Sequence, residues 1–288
     1  MKVSEIYKSG RKSLSFEIFP PKKDEELQNI DETLELLSEL KPDFISVTFG
    51  AGGSANCNKT IAIAKKIKED YHIEPVVHLT CLQYDVNEID EFTRELKDAG
   101  IENVLALRGD NRADIPRKRD FSYASDLVTH LKEEKDFCVL GACYPERHPE
   151  SADMVDEIKH LKLKVNAGTD VLLSQLFFDN SRFYEFEERC KIADINIPVI
   201  PGIMPVIKAS QIKRMVSMCN ASFPERFQKI VDKYENNSEA LFDAGMAYAV
   251  SQIIDLLACN TDGIHLYTMN NPKVAGRICD GIRNIVCA

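Results

Sequence analysis

Hydrophobic residues make up 44% of the 288-residue chain, enough to bury a sizeable core and too many for a disordered one. The formal net charge of −10 excludes a general nucleic-acid or membrane-surface binder, whose polyanionic partners need basic patches; a small anionic ligand held by local amides or a few cations stays possible. The nine Cys form no CxxC pair and no Cys/His metal spacing, and neither a signal-length apolar run nor a stretch of about 18 apolar residues is visible, so a cytoplasmic protein with reduced thiols and no metal is expected.

Short apolar runs alternate with longer amphipathic ones. Strands are expected at 14–19, 44–49, 75–80, 103–108, 138–144, 171–177, 198–203 and 263–269. Their apolar residues are continuous rather than alternating, as in strands buried on both faces. Helices are expected at 24–39, 58–70, 87–99, 123–135, 151–167, 181–193, 209–218 and 239–259, with one more at 272–286. Eight strands each followed by a helix predict a single-domain α/β fold over residues 1–288, a (β/α)8 TIM barrel. The long stretch 219–238 predicts an extra helix in the seventh βα region.

In such barrels chemistry sits at the carboxyl ends of the strands and in the loops beyond. Polar residues there are Glu17, Thr48, His78, Arg108 with Asp110, Tyr144 with His148, Gln175, Gln211, and Tyr267 with Asn270. Glu17 lies between Phe16 and Ile18 in SFEIFPP. It reads either as a carboxylate paired with a buried cation, or as an acid whose pKa desolvation raises so that it stays protonated near neutral pH. In ALRGD, Arg108 and Asp110 form either a local ion pair or a site for an anionic group and a developing cation, with Gly109 letting backbone approach a flat ligand. His148 is stiffened by Pro145 and Pro149. His78, in an apolar run with no metal partner, reads first as a hydrogen-bonded interior residue. TFGAGGS, which includes Thr48, Phe49 and Ala51, precedes a helix and can cradle an anion with its amides, although alone it is a weak signal. The Gln175 amide suits the edge of a heterocycle.

Taken together, SFEIFPP, FISVTFGAGGS, PVVHLTC, VLALRGD, YASDLV, YPERHPE, QLFFD, IPGIMPV and HLYTMN, in this order over residues 14 to 270, resemble the 5,10-methylenetetrahydrofolate reductase family in its short bacterial catalytic form. The resemblance implies an FAD-binding barrel that is a cytoplasmic homo-oligomer and binds neither nucleic acid nor membrane. It would reduce methylenetetrahydrofolate to 5-methyltetrahydrofolate with electrons from NADH or NADPH in a ping-pong cycle, serving methionine synthesis and one-carbon metabolism. It implies Glu17 as the general acid that protonates N10, and Asp110 as the carboxylate near pterin and flavin. Gln175, Gln211 and Tyr267 become substrate contacts. Thr48, Phe49, Ala51, His78, Arg108, Gly109, Asp110, Tyr123, Ala124, Tyr144, His148 and Lys164 become FAD contacts.

The chain departs from the family pattern in three places. Along the helix after the fifth strand it offers Glu157, His160 and Leu163 for contacts to the flavin's diphosphate and ribose. Asn271 stands where Arg is common, and Met215 where a stacking Phe is common. These two changes motivate an alternative in which a partner redox protein supplies the electrons. A non-catalytic flavin- or folate-binding barrel does not need the acid at Glu17, and a barrel lyase lacks its strand-end Lys or metal cluster.

Overall fold

The computed structural model describes the chain except residues 22–26, 50–53, 112–114, 135, 213–214, 216–220 and 287–288, and except the side chains of 27–29, 54–57 and 134. Nine parallel strands lie in the order β7-β6-β5-β4-β3-β2-β1-β9-β8. They are β1 Ser13–Ile18, β2 Phe44–Val47, β3 Glu74–Thr80, β4 Asn103–Leu107, β5 Cys138–Cys143, β6 Val171–Ser174, β7 Val199–Ile200, β8 Gly202–Ile203 and β9 Gly263–Tyr267. Helices Leu27–Ser38, Ser54–Glu69, Val86–Asp98, Ala124–Glu134, Met154–Asn166, Asn180–Ile192, Ser238–Ala258 and Pro272–Val286 flank them. Helix Glu225–Tyr234 is the additional one expected in the seventh βα region.

The nine segments are eight staves, because β7 and β8 are halves of one strand broken at Pro201. Proline has no N–H for a ladder. The first half pairs with β6, through Leu172 and Leu173 opposite Val199 and Ile200. The second pairs with β9, through Gly202 and Ile203 opposite His265 and Leu266. At the break the Pro201 carbonyl still accepts the His265 N–H at 3.0 Å. The Ser174 hydroxyl accepts the Gly202 N–H at 2.9 Å. A side chain at Gly202 would put Cβ 2.3 Å from the Ser174 carbonyl, so only glycine lets the staves meet. The ring closes as the (β/α)8 barrel the sequence predicts.

Both strand faces are covered. Phe16, Ile18, Ile45, Val47, Val77 and Leu79 pack outward on the helices. The other face fills the lower barrel with Phe44, Val76, Leu105, Leu140, Val171, Leu173 and Ile200. Val3 and Ile6 join that cluster, bringing in the short helix Ser4–Lys8, which the sequence reading did not anticipate. Inward residues alternate along a strand. The parity that buries Phe44 and Val76 therefore turns Ser46 and His78 inward one step nearer the mouth.

Helix Ser238–Ala258 is long and apolar enough to cross a membrane by length and composition, against the sequence expectation that no such stretch exists. Its Leu241, Met246, Ala249, Ile253, Leu256 and Leu257 are buried, and the Gln252 side chain donates to the Phe177 carbonyl at 3.0 Å. These contacts make it a wall helix of the barrel.

Candidate active site

Glu17 is the penultimate residue of β1, opposite Ser46 on one side and Tyr267 on the other. Its side chain is 16% exposed, and Oε2 lies 3.5 Å from Nε2 of His78. The same oxygen lies 3.9 Å from Nε2 of His265, a residue the sequence reading passed over. No cation is paired with it among the described residues, so of the two readings of Glu17 the partner the structure supplies is imidazole. Burial pushes the His78 imidazole down to about 4, against the weaker upward pull of Glu17. His78 is therefore neutral, and its buried Nε2 has no hydrogen-bond partner.

His265 is fully buried, with its ring stacked on Phe44 at 5.9 Å and met edge-on by Tyr267 at 5.5 Å. The Tyr267 hydroxyl donates to the Ser174 carbonyl at 2.7 Å. Asn270 is occupied structurally: its amide accepts from the Phe19 N–H at 2.9 Å and donates to the Phe19 carbonyl at 2.8 Å. That clamp fixes the segment after Glu17 to the one after β9, and the Thr268 hydroxyl adds a bond to the Glu17 carbonyl at 2.7 Å.

A second group lies beyond β4 and β5. Arg108 pairs with Glu150 through both oxygens, at 2.5 and 2.8 Å, rather than with Asp110. Gly109 has φ +86°, and a Cβ there would lie 3.1 Å from the Thr80 side chain. The close approach expected at this glycine is thus to the end of β3. Asp110 is exposed, and its carbonyl accepts the Gln83 amide at 2.9 Å. The His148 ring meets Tyr144 edge-on at 4.8 Å. Burial, followed by the Arg108 charge, lowers the His148 pKa, and burial raises that of Tyr144.

Other expected contacts are engaged elsewhere. Glu157 is buried and accepts the His148 N–H at 3.0 Å and the Ser151 hydroxyl at 2.7 Å. It holds the 144–151 loop from below. His160 is exposed on the same helix, 3.7 Å from Asp156. Leu163 is exposed too. Lys164 donates to the Ala142 carbonyl at 2.6 Å, and burial lowers its pKa. Phe49 packs edge-on against Phe92 and Tyr84 at 5.3 and 5.7 Å. Thr48 donates its N–H to the Ile18 carbonyl at 3.0 Å. Tyr123 is 63% exposed and Ala124 is buried at the start of its helix. Ala51 lies outside the described residues. Gln175 accepts the Leu176 N–H at 3.0 Å, while Gln211 accepts the Ile207 N–H at 3.4 Å and faces the Met204 sulfur at 3.5 Å. Met215 packs against the cluster that contains Met204, Phe178 and Phe227. Asn271 caps the last helix, accepting the Val274 N–H at 3.3 Å ahead of Pro272.

Among the described residues no group of three or more His, Cys, Asp or Glu could hold a metal ion. A carboxyl and two imidazoles inside the carboxyl ends of parallel strands, with polar loops around them, form the active-site layout of a (β/α)8 enzyme. The methylenetetrahydrofolate reductase family model matches residues 2–283, and the chain belongs to that family of oxidoreductases. It is 36% identical over 270 residues to the 5,10-methylenetetrahydrofolate reductase of Escherichia coli, covering 94% of this chain and 90% of that one. It is 33% identical over 293 residues to methylenetetrahydrofolate reductase (NADH) 1 of Arabidopsis thaliana, covering 95% of this chain and 49% of that longer one. Among solved structures, an uncharacterized Clostridium thermocellum protein that binds two copies of 5-methyl-5,6,7,8-tetrahydrofolic acid superposes with TM-score 0.70 at 15% identity, covering all of both chains. At that identity the likeness concerns the fold.

Proposed function

We propose that the chain reduces 5,10-methylenetetrahydrofolate to 5-methyltetrahydrofolate, with FAD held in the mouth and NADH or NADPH as electron donor in a separate half-reaction. The whole of residues 1–288 would act as one catalytic domain, in the cytoplasm and as a homo-oligomer, supplying methionine synthesis and one-carbon metabolism. The observation that supports this best is Glu17 near the end of β1, flanked by two imidazoles and, among the described residues, by no cation. A binding module has no use for an acid there.

The residues present fit a flavin. His78 offers an unpartnered buried nitrogen, Arg108 a guanidinium, and Thr48, Gly109, Tyr144 and His148 line the neighbouring strand ends and loops. Tyr123, Ala124 and Lys164 are assigned to the same cofactor by resemblance. When bound, FAD supplies the hydride relay between nicotinamide and folate. Glu17 gives its proton to N10 of the substrate and so opens the five-membered ring. Asp110 brings a negative charge to the cation that ring opening leaves. Gln175 and Gln211 take the pterin edge by exchanging their internal hydrogen bonds, those of Gln211 being long enough to yield readily. Tyr267 bounds the substrate beside Glu17.

The test is an absorption spectrum of the purified protein, identification of any flavin released on denaturation, and anaerobic titration with NADH and NADPH. Yellow protein that releases FAD and is bleached by a nicotinamide is the expected result. Colourless protein that FAD does not reconstitute overturns the reading. A second reading, in which a redox protein delivers the electrons, is favoured by Asn271 and Met215. It wins if FAD is bound but neither nicotinamide bleaches it.

A further inference from the structure

Gln175 follows β6 in a segment that leaves the sheet. Toward β5 its N–H donates to the Cys143 carbonyl at 2.7 Å, but toward β7 pairing ends with Leu173 opposite Ile200, just before the break at Pro201. A buried backbone carbonyl beyond the ladder needs another donor. Side chains supply it. The Tyr267 hydroxyl donates to the Ser174 carbonyl at 2.7 Å, and the Ser174 hydroxyl to the Gln175 carbonyl at 3.0 Å. Two more donors come from helix Ser238–Ala258. The Gln252 amide donates to the Phe177 carbonyl at 3.0 Å, and the Tyr248 hydroxyl to the Phe178 carbonyl at 2.7 Å.

Gly245, Tyr248 and Gln252 stand at i, i+3 and i+7, on one face of that helix. Gln252 is buried. Tyr248 lies flat on Phe227 of helix Glu225–Tyr234, with ring centroids 3.9 Å apart and planes 8° from parallel. That stack fixes the direction of the hydroxyl, and Phe178 in turn packs on Phe227. At the other end of the stripe the Val206 carbonyl leaves no room for a Cβ at Gly245, so the helix meets the backbone of the segment leading to Gln211. One helix thus grips both loops that carry a glutamine of the site. The Gln175 amide itself accepts the Leu176 N–H at 3.0 Å. Taking the edge of a ligand costs that bond, and the carbonyl contacts then hold the segment. The helix donors therefore matter most when the site is filled.

We propose that Tyr248 and Gln252 are positioning residues for Gln175: donating to two consecutive carbonyls from the wall helix, they hold the segment after β6 where the Gln175 amide meets the pterin edge. The proposal rests on the folate reading and on Gln175 being a substrate contact. Neither side chain touches the substrate, and their effect reaches it through the backbone of residues 175–178.

The test is calorimetric titration of the full, flavin-loaded chain with 5-methyltetrahydrofolate, beside flavin content after gel filtration. Tyr248→Phe keeps the stack on Phe227 and removes only the donor. It should raise the folate Kd about fivefold, the size of one lost hydrogen bond, with flavin content unaltered. Gln252→Met, which keeps the volume and removes the amide, should shift the Kd in the same direction. Residues that act through one another give non-additive effects. In a Gln175→Ala background, Tyr248→Phe should therefore change the Kd less than about twofold. The same fivefold rise in both backgrounds overturns the proposal, because Tyr248 would then act elsewhere. A proportionate loss of flavin also overturns it, since the barrel as a whole would be disturbed. Should Tyr248→Phe fail to fold, Gln252→Met carries the same comparison. An unmodified chain that binds no 5-methyltetrahydrofolate defeats the folate reading and the proposal with it. Folate binding that Tyr248→Phe and Gln252→Met leave unchanged defeats the proposal alone.

Discussion

The Arg108 guanidinium at the end of β4 is gripped by both oxygens of Glu150 from the loop after β5, at 2.5 and 2.8 Å. Burial opposes the charge on Arg108, but the Glu150 hydrogen bonds outweigh it and raise the pKa. A planar two-point pair fixes the direction of the guanidinium as well as its charge. Glu150 is 56% exposed, so Glu150→Gln should change unfolding free energy by no more than about 1 kcal/mol. Arg108→Ala should weaken FAD retention more strongly than Glu150→Gln, as measured by flavin content after gel filtration. Equal losses would mean that Arg108 matters only through the pair.

Glu157 has a structural task in the loop after β5. It is buried, and its Oε2 accepts from both the His148 N–H and the Ser151 hydroxyl. Glu157→Ala removes the one acceptor of both bonds from a buried site, and urea unfolding should show a loss of about 3 kcal/mol. Glu157→Gln keeps one acceptor oxygen and should lose about 1 kcal/mol. Equal stability in the two variants would show that the loop is held by something other than this oxygen.

The barrel was legible because each stave carries an apolar run long enough to stand above its flanks, and because strand and helix alternate without a break. What escaped was decided by contacts far apart in sequence. The seventh strand was read as one run, 198–203, yet Pro201 splits it between two neighbours. His78 was noticed because VVHLT is otherwise apolar. His265 sits in GIHLY in the same manner, and its period-two relation to Tyr267 was the available signal. Glu157 shares the inward face of its helix with Leu161, four residues on, and that spacing marks it as buried. Nothing local announces the Asn270 clamp on Phe19, because the partners are 251 residues apart. The candidates Glu17, His78, Arg108, Tyr144 and His148 were chosen because a barrel restricts chemistry to strand ends.

Acid should destabilise the protein through His78. The folded imidazole titrates at about 4, below the roughly 6.5 of an exposed histidine. Between those values the unfolded chain takes up a proton that the folded one refuses. Stability is therefore full above about pH 6.5 and falls as the pH drops toward 4, by about 3 kcal/mol for this residue. His78→Gln should lack this component, so the stability difference between the two proteins in urea should shrink or reverse between pH 6.5 and pH 4. A constant difference across that window would contradict the assignment.

Asn271 stands where the resemblance implies a cation, and the structure gives it a local role as N-cap of helix Pro272–Val286. Asn271→Arg should cost about 1 kcal/mol of stability through the lost cap. If the new guanidinium reaches the acidic tail of the folate, binding should strengthen by a similar amount, about fivefold in Kd. Thermal unfolding and folate titration on the same preparation separate the two effects. Unchanged affinity would point to Lys208 or Lys273 as the cation already in use.

Gly109 joins the fold to the chemistry. Its φ of +86° is one that side-chain-bearing residues avoid, and a methyl there would press on Thr80 at 3.1 Å and on the Gln83 amide oxygen at 3.3 Å. Gln83 is also the residue that holds the Asp110 carbonyl. Gly109→Ala therefore strains the turn and pushes on the group that fixes Asp110. Stability should fall by about 1–2 kcal/mol. Arg108 and Asp110 flank the strained residue, so their placement should suffer beyond what stability alone requires. Flavin retention and folate reduction should both weaken in protein that is still fully folded by circular dichroism. Thr80→Ala in the same chain removes the Thr80 Cγ2 at 3.4 Å but keeps the Cβ at 3.1 Å, so it should recover only a small part of the loss. A Gly109→Ala protein with undiminished flavin content and turnover would mean that this turn tolerates the shift, and that Arg108 and Asp110 are held in place by Glu150 and Gln83 alone.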